Sequence, residues 1–146
     1  MRKINYIVVH CSATREGCTL TSEALEAEHR RRGFRTTGYH YYIRRDGTVL
    51  GTRSLELPRC ALPRSQQVSI GICYEGGLGC LGKSEDTRTP EQRSALHLLV
   101  YQLLQQFRNA RVCGHRDLSP DLDGDGTVEP WEWVKQCPCF EVSKEF

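Results

Sequence analysis

Between Gly114 and Phe140 the chain carries a histidine beside an Arg116-Asp117 pair, an aspartate-glycine loop, and Lys135 two residues ahead of Cys137-Pro-Cys139. Zinc is held by neutral imidazoles and thiolates, and a catalytic site uses three protein ligands so that water can take the fourth position. His115 and Cys137 supply two such groups, and His10, near the other end of the chain, supplies a third. The long intervals between them match no local zinc-binding spacing. By spacing alone, a strand-end histidine and a buried thiol are the better reading.

The loop from Asp121 to Glu132 has its own pattern. Counting Asp121 as position 1, oxygen-bearing residues fall at Asp121, Asp123, Asp125, Thr127, Glu129 and Glu132, with Gly126 at the sharp turn and Val128 as the aliphatic position. That is the spacing of an EF-hand calcium loop. The expected calcium ligands are Asp121, Asp123, Asp125, Thr127 and Glu132. Asp117-Leu-Ser-Pro120 precedes the loop, so the entering helix is missing and half an EF-hand is the most expected. Its role would be to brace Lys135 and Cys137 relative to His115; the other reading is an acidic loop with Asp-Gly turns.

These residues need elements to place them. Ile4 to His10 is a continuous β-branched run of strand length, suited to burial on both faces, and leaves His10 at the carboxyl end, where α/β sheets open their sites. Residues 22–32 predict a helix, acidic early and basic late, with Gly33 as its stop. Its apolar side is thin, Leu25 and His29 at i, i+4, which makes His29 a packed or surface histidine rather than a ligand. Gly38–Ile43 and Thr48–Arg53 flank Asp46-Gly47 as a hairpin. A period of two from Gly38 puts Tyr39, Tyr41 and Ile43 on one face and His40, Tyr42 and Arg44 on the other.

Residues 54–67 predict a long loop, Val68–Tyr74 a strand, and the glycine-rich tract from Gly76 to Arg88 a mobile connection. Thr89-Pro-Glu-Gln92 carries an N-cap, a proline at N1 and a capping-box glutamine. The helix it opens has Leu96, Leu99, Val100, Leu103, Leu104 and Phe107 at three-and-four spacing. His97 falls off that stripe and is expected on the surface. Arg111–Gly114 predicts a short final strand delivering His115, and Pro130 a last short helix carrying Trp131, Trp133 and Lys135.

At 146 residues a chain buries about 68–70% of its extended surface, enough for one domain with a real core. No apolar run approaches the ~20 residues of a membrane span. With 20 basic and 18 acidic residues, a formal charge of +2, no global field advertises nucleic acid or a membrane as partner. Eight cysteines could suit a disulfide scaffold, but no signal-peptide pattern opens the chain. Reduced cysteines and synthesis in a cytoplasm are expected.

His10-Cys-Ser-Ala-Thr14, Gly38-Tyr-His40, Ser69-Ile-Gly71 followed by Gly76-Gly77, Thr89-Pro-Glu-Gln92, Gly114-His-Arg-Asp117 and Lys135-Gln-Cys-Pro138 occur in this order from about residue 4 to 141. Together they resemble the zinc-dependent N-acetylmuramoyl-L-alanine amidase family, type 2, of T7 lysozyme-like kind and peptidoglycan recognition protein fold. The resemblance implies a single α/β domain over residues 1–146, with a mixed central β-sheet flanked by helices and the 121–132 loop as an insertion. It implies His10, His115 and Cys137 as zinc ligands, with Tyr39 and Lys135 assisting. The reaction implied is hydrolysis of the amide between N-acetylmuramic acid and L-alanine in peptidoglycan, by a monomer acting on the cell wall as an endolysin or remodelling enzyme. The alternative is a non-catalytic peptidoglycan-binding module of the same fold. Cys139 departs from the simplest members, and either a fourth thiolate or a Cys137–Cys139 disulfide would alter the site.

Overall fold

Ile7, Val8 and Val9 are fully shielded from solvent, which accounts for an apolar run without alternation: their strand lies inside a sheet covered on both faces. The structure, a computed structural model, describes residues 3–33, 38–57, 68–119, 122–133 and 135–146. In chain order the elements are β1 (Tyr6–Cys11), β2 (Thr14–Arg15), α1 (Ser22–Arg31), β3 (Tyr41–Ile43), β4 (Val49–Gly51), β5 (Ser69–Tyr74), β6 (Gly77–Leu78), α2 (Pro90–Gln106) and β7 (Arg111–Gly114). Short 3-10 turns follow at His115–Leu118, Pro130–Glu132 and Val142–Lys144. Among the described residues no helix is long and apolar enough to cross a membrane.

The main sheet has the order β4-β3-β5-β1-β7. It is mixed: β1 runs parallel to β5 and β7, β3 parallel to β5, and only β4 is antiparallel to its neighbour. Alternate residues of the central strands feed two cores. Ile7, Val9, Ile70 and Ile72 pack with Leu96, Leu99, Val100 and Leu103 of α2. On the opposite face Cys73 and Tyr42 pack with Leu25 of α1. The apolar stripe of α2 and the thin one of α1 are thereby both used.

The start of α2 is fixed by chemistry legible in its sequence. The Thr89 hydroxyl accepts from the Gln92 N–H and the Gln92 side chain accepts from the Thr89 N–H, a complete capping box. The Gln92 amide also donates to the carbonyls of Ile43 and Glu75, at 3.2 and 2.9 Å, tying the helix to the ends of β3 and β5. Glu75 is buried and accepts from Leu20 N–H, Arg44 Nε and Arg45 N–H at 2.7, 2.9 and 3.0 Å. Burial would raise its carboxyl, but these bonds outweigh burial and hold it below the usual carboxylate range.

Several expectations need correction. The first hairpin strand begins at Tyr41, not Gly38, so alternation does not extend back to Tyr39, which packs with Tyr42 in the smaller core while Tyr41 packs in the larger. The Gly76–Arg88 tract is not a plain connection. Its β6 pairs in parallel with β2, and Leu78 bridges Ser84, forming a second small sheet. The turn from Pro130 ends at Glu132, leaving Trp133 and Lys135 beyond it, because Trp133 is already extended. Residues 58–67 of the expected long loop lie outside the described residues.

Candidate metal centre and active site

The register of β1 against β7 positions the histidines. Val9 pairs with Gly114, so the next residues, His10 and His115, leave the carboxyl ends of adjacent parallel strands side by side. Their ring centroids are 4.7 Å apart. His10 is buried and His115 half-buried.

Cys137 reaches them from the irregular segment after the acidic loop. That segment is held by three bonds: Arg116 N–H donates to the Cys137 carbonyl at 2.9 Å, Cys11 N–H donates to Cys137 Sγ at 3.1 Å, and Tyr74 Oη donates to the Pro138 carbonyl at 2.5 Å. Gly114 makes the approach possible, since a Cβ there would sit 2.7 Å from Pro138 Cδ. One ligand-capable atom each of His10, His115 and Cys137 then lies within 4.8 Å of the others. Tetrahedral zinc, with Zn–N about 2.0–2.1 Å and Zn–S about 2.3 Å, needs ligand atoms somewhat closer than that, and the donor set of two imidazoles and one thiol is zinc's own. The residues fit the ion.

Tyr39 stands beside this cluster, its ring 5.0 Å from that of His10. Lys135 is exposed and makes no ion pair among the described residues, so its ammonium is available to a ligand. The expected functional residues His10, His115, Cys137 and Tyr39 are therefore in one place, with Lys135 two residues from Cys137.

Cys139 does not join the three. Its Sγ lies 3.9 Å from Cys11 Sγ and 3.3 Å from the Gly77 carbonyl, and the seven described cysteines are all free thiols, Cys137 and Cys139 included. The Cys11 thiol is pushed up to about 12, first by its contact with Cys137 and then by burial; contact with Cys11, with burial, pushes the Cys139 thiol up as well.

In the acidic loop, Asp123, Asp125 and Glu129 bring oxygens within 4.8 Å of one another. Glu132, one of the expected calcium ligands, is buried and accepts from the N–H groups of Leu122, Asp123 and Glu129. Thr127 is exposed and its N–H donates to Asp125 Oδ1 at 2.9 Å. Asp121 lies outside the described residues. Sequence reasoning did not anticipate the bond from the Cys11 backbone N–H to Cys137 Sγ, nor the roles of His29 and His40 around Tyr39. His29 Nδ1 accepts from Gly38 N–H at 2.7 Å, and His40 Nδ1 accepts from Gly71 N–H at 3.0 Å.

A mixed α/β sheet brings two imidazoles and a thiol together at its carboxyl edge, where such sheets open their sites, and these are donor types that can hold zinc. The chain belongs to the N-acetylmuramoyl-L-alanine amidase family, whose model matches residues 1–138. It is 30% identical over 143 residues to the endolysin of Klebsiella phage KP32, covering 98% of this chain and 85% of that one. Among solved structures, N-acetylmuramoyl-L-alanine amidase LysC from Clostridium intestinale superposes with a TM-score of 0.74 at 24% identity, over 99% of this chain and 82% of the other. Bumblebee PGRP-SA superposes at 0.73 with 19% identity, over 99% and 81%. At these identities the two structures show the shared fold.

Proposed function

We propose that this protein hydrolyses the amide between the lactyl group of N-acetylmuramic acid and the L-alanine of the peptidoglycan stem peptide. The observation that carries the reading is the convergence of His10, His115 and Cys137, with Tyr39 against His10, at the carboxyl edge of the sheet. Family membership supplies the bond that is cut.

His10, His115 and Cys137 would hold zinc. Bound by two neutral imidazoles and one thiolate, the ion keeps a charge of about +1, enough to act as a Lewis acid and to lower the pKa of water toward ~7. The remaining work falls to the chain. Lys135 brings a cation that exists before the reaction begins, suited to the oxygen of the scissile carbonyl as it gains charge. Tyr39, beside His10, would donate a hydrogen bond from its phenol to the attacking water or to the tetrahedral intermediate. Cys11 N–H, bonded to Cys137 Sγ at 3.1 Å, holds the sulfur in position beside the two histidines. A calcium ion held by Asp121, Asp123, Asp125, Thr127 and Glu132 is a separate part of the proposal and rests on the loop spacing in the sequence.

The endolysin relatives support peptidoglycan as the substrate and the cell wall as the place of action. The likeness to PGRP-SA favours one second reading, a module that binds muramyl peptide without cutting it. Purified sacculi separate the two. Zinc-loaded protein should clear turbidity and free new amino termini, and chelated protein should do neither. Saturable binding without freed amines would establish the binding module instead.

A further inference from the structure

We infer that His29 is a positioning residue that holds Tyr39 in place against His10; the inference rests on the amidase reading of the site. Tyr39 precedes β3, and the ladder reaches back to its neighbour His40, whose N–H donates to the Gly71 carbonyl and whose carbonyl accepts from the Thr52 N–H, both at 2.9 Å. Side chains add two further ties. On one side the Thr52 hydroxyl donates to the Tyr39 carbonyl at 2.8 Å. On the other, His29 Nδ1 accepts from the N–H of Gly38, the residue just before Tyr39, at 2.7 Å.

The rings continue the same line of contact. His29 and Tyr39 have centroids 5.3 Å apart, Tyr39 and His10 5.0 Å, and His10 and His115 4.7 Å, all tilted by 48–56°. His29 thus touches the phenol that faces the metal ligands and bonds the backbone that carries it, without reaching the ligands itself through any of these contacts. Leu25 and His29 are the buried residues of α1. If α1 needed only packing, an aliphatic residue would serve at either position, but it would leave the Gly38 N–H without its acceptor, a cost buried donors rarely bear. Accepting at Nδ1 requires the neutral imidazole with its proton on Nε2.

The test compares wild type, His29→Phe, His29→Asn, Tyr39→Phe and the His29→Phe/Tyr39→Phe pair, all zinc-loaded, on a soluble muramyl peptide. His29→Phe keeps a ring of similar volume and removes the acceptor. Its kcat should fall between about 10- and 100-fold, the range a small misplacement of a catalytic group produces, with KM and bound zinc unchanged. His29→Asn, whose amide oxygen falls near the position of Nδ1, should recover part of that loss. In the Tyr39→Phe background His29→Phe should cost almost nothing further, because the phenol it positions is already gone.

Two readouts need no turnover. Hydrogen exchange at the Gly38 amide should accelerate in His29→Phe, and imidazole nitrogen shifts of the wild type should show His29 protonated at Nε2. An equal kcat loss in both backgrounds, unchanged Gly38 exchange, or a wild-type Nδ1–H tautomer would each overturn the inference while leaving the amidase reading intact. A wild type that cleaves nothing would instead overturn the amidase reading and the positioning role with it.

Discussion

The backbone N–H of Cys11 donates to Cys137 Sγ at 3.1 Å, so the residue that follows one histidine of the site grips the thiol at the other end of the chain. The bond explains how an irregular segment can present a ligand as reliably as a strand does.

Replacing that sulfur should therefore cost both the ligand and the tie. Cys137→Ser is expected to weaken zinc binding by more than about 100-fold, beyond the range seen when groups behind a ligand are removed, and to abolish turnover. Competition against a zinc chelator of known strength measures it, and retention of stoichiometric zinc would exclude Cys137 as a ligand.

Lys135 and Tyr39 should separate chemistry from stability. Lys135 is exposed, so Lys135→Ala should move stability by no more than about 0.5 kcal/mol. If its cation meets the developing oxyanion, kcat should fall about 100- to 1000-fold with KM little changed. Tyr39→Phe keeps the ring against His10 and removes only the hydroxyl, so its effect belongs in kcat as well. Steady-state kinetics on a soluble muramyl peptide distinguish these from a loss of binding, which would raise KM.

Glu75 links the loop before α1, the hairpin and the end of β5 through three accepted hydrogen bonds. Burial opposes its charge, but the bonds win and its folded-state pKa lies below the ordinary 4.5. A depressed carboxyl contributes stability that is present above about pH 4.5 and lost as the pH falls through the folded-state value. Asp86 and Glu145, held low by Arg88 against the cost of their own burial, act in the same direction. Glu75→Gln should lower stability at pH 7 by about 1.5–3 kcal/mol, the range for a hydrogen bond to a charged group. It should also flatten the decline below about pH 4.5. Urea melts across that range measure both; an unchanged slope would show that other carboxylates govern acid unfolding.

If the 121–132 loop takes calcium, millimolar calcium should raise Tm, by an amount set by mass action and worth about 2.7 kcal/mol at one hundred times Kd. The Asp125→Ala variant should lose the rise. A Tm indifferent to calcium in both proteins would leave Asp123, Asp125 and Glu129 as an acidic surface loop with Glu132 serving its backbone.

The parts of the molecule legible in sequence were those whose cause is local. The unbroken run of β1 and the capping box of α2 carry their own signals. Tyr39 was assigned to the wrong face because its position is set by His29 and Thr52 across space rather than by strand alternation. The Gly76–Arg88 tract concealed β6 for a similar reason, since a two-residue strand has no period of its own and exists by pairing with β2. Lys135 lost its expected helix because the turn at Pro130–Glu132 is spent on seating Glu132 under the acidic loop. The cluster of His10, His115 and Cys137 joins residues too far apart for any spacing rule, and only the ordered blocks of family resemblance brought them together beforehand.

Mass spectrometry of the products released from sacculi tests the central claim most directly. Zinc-loaded protein should release stem peptides beginning with a free L-alanine amine and leave glycan strands whose muramic acid keeps its lactyl carboxylate, and the Cys137→Ser variant should release neither. New reducing sugar ends, peptides cut within the stem, or no products at all from the zinc-loaded protein would contradict the account.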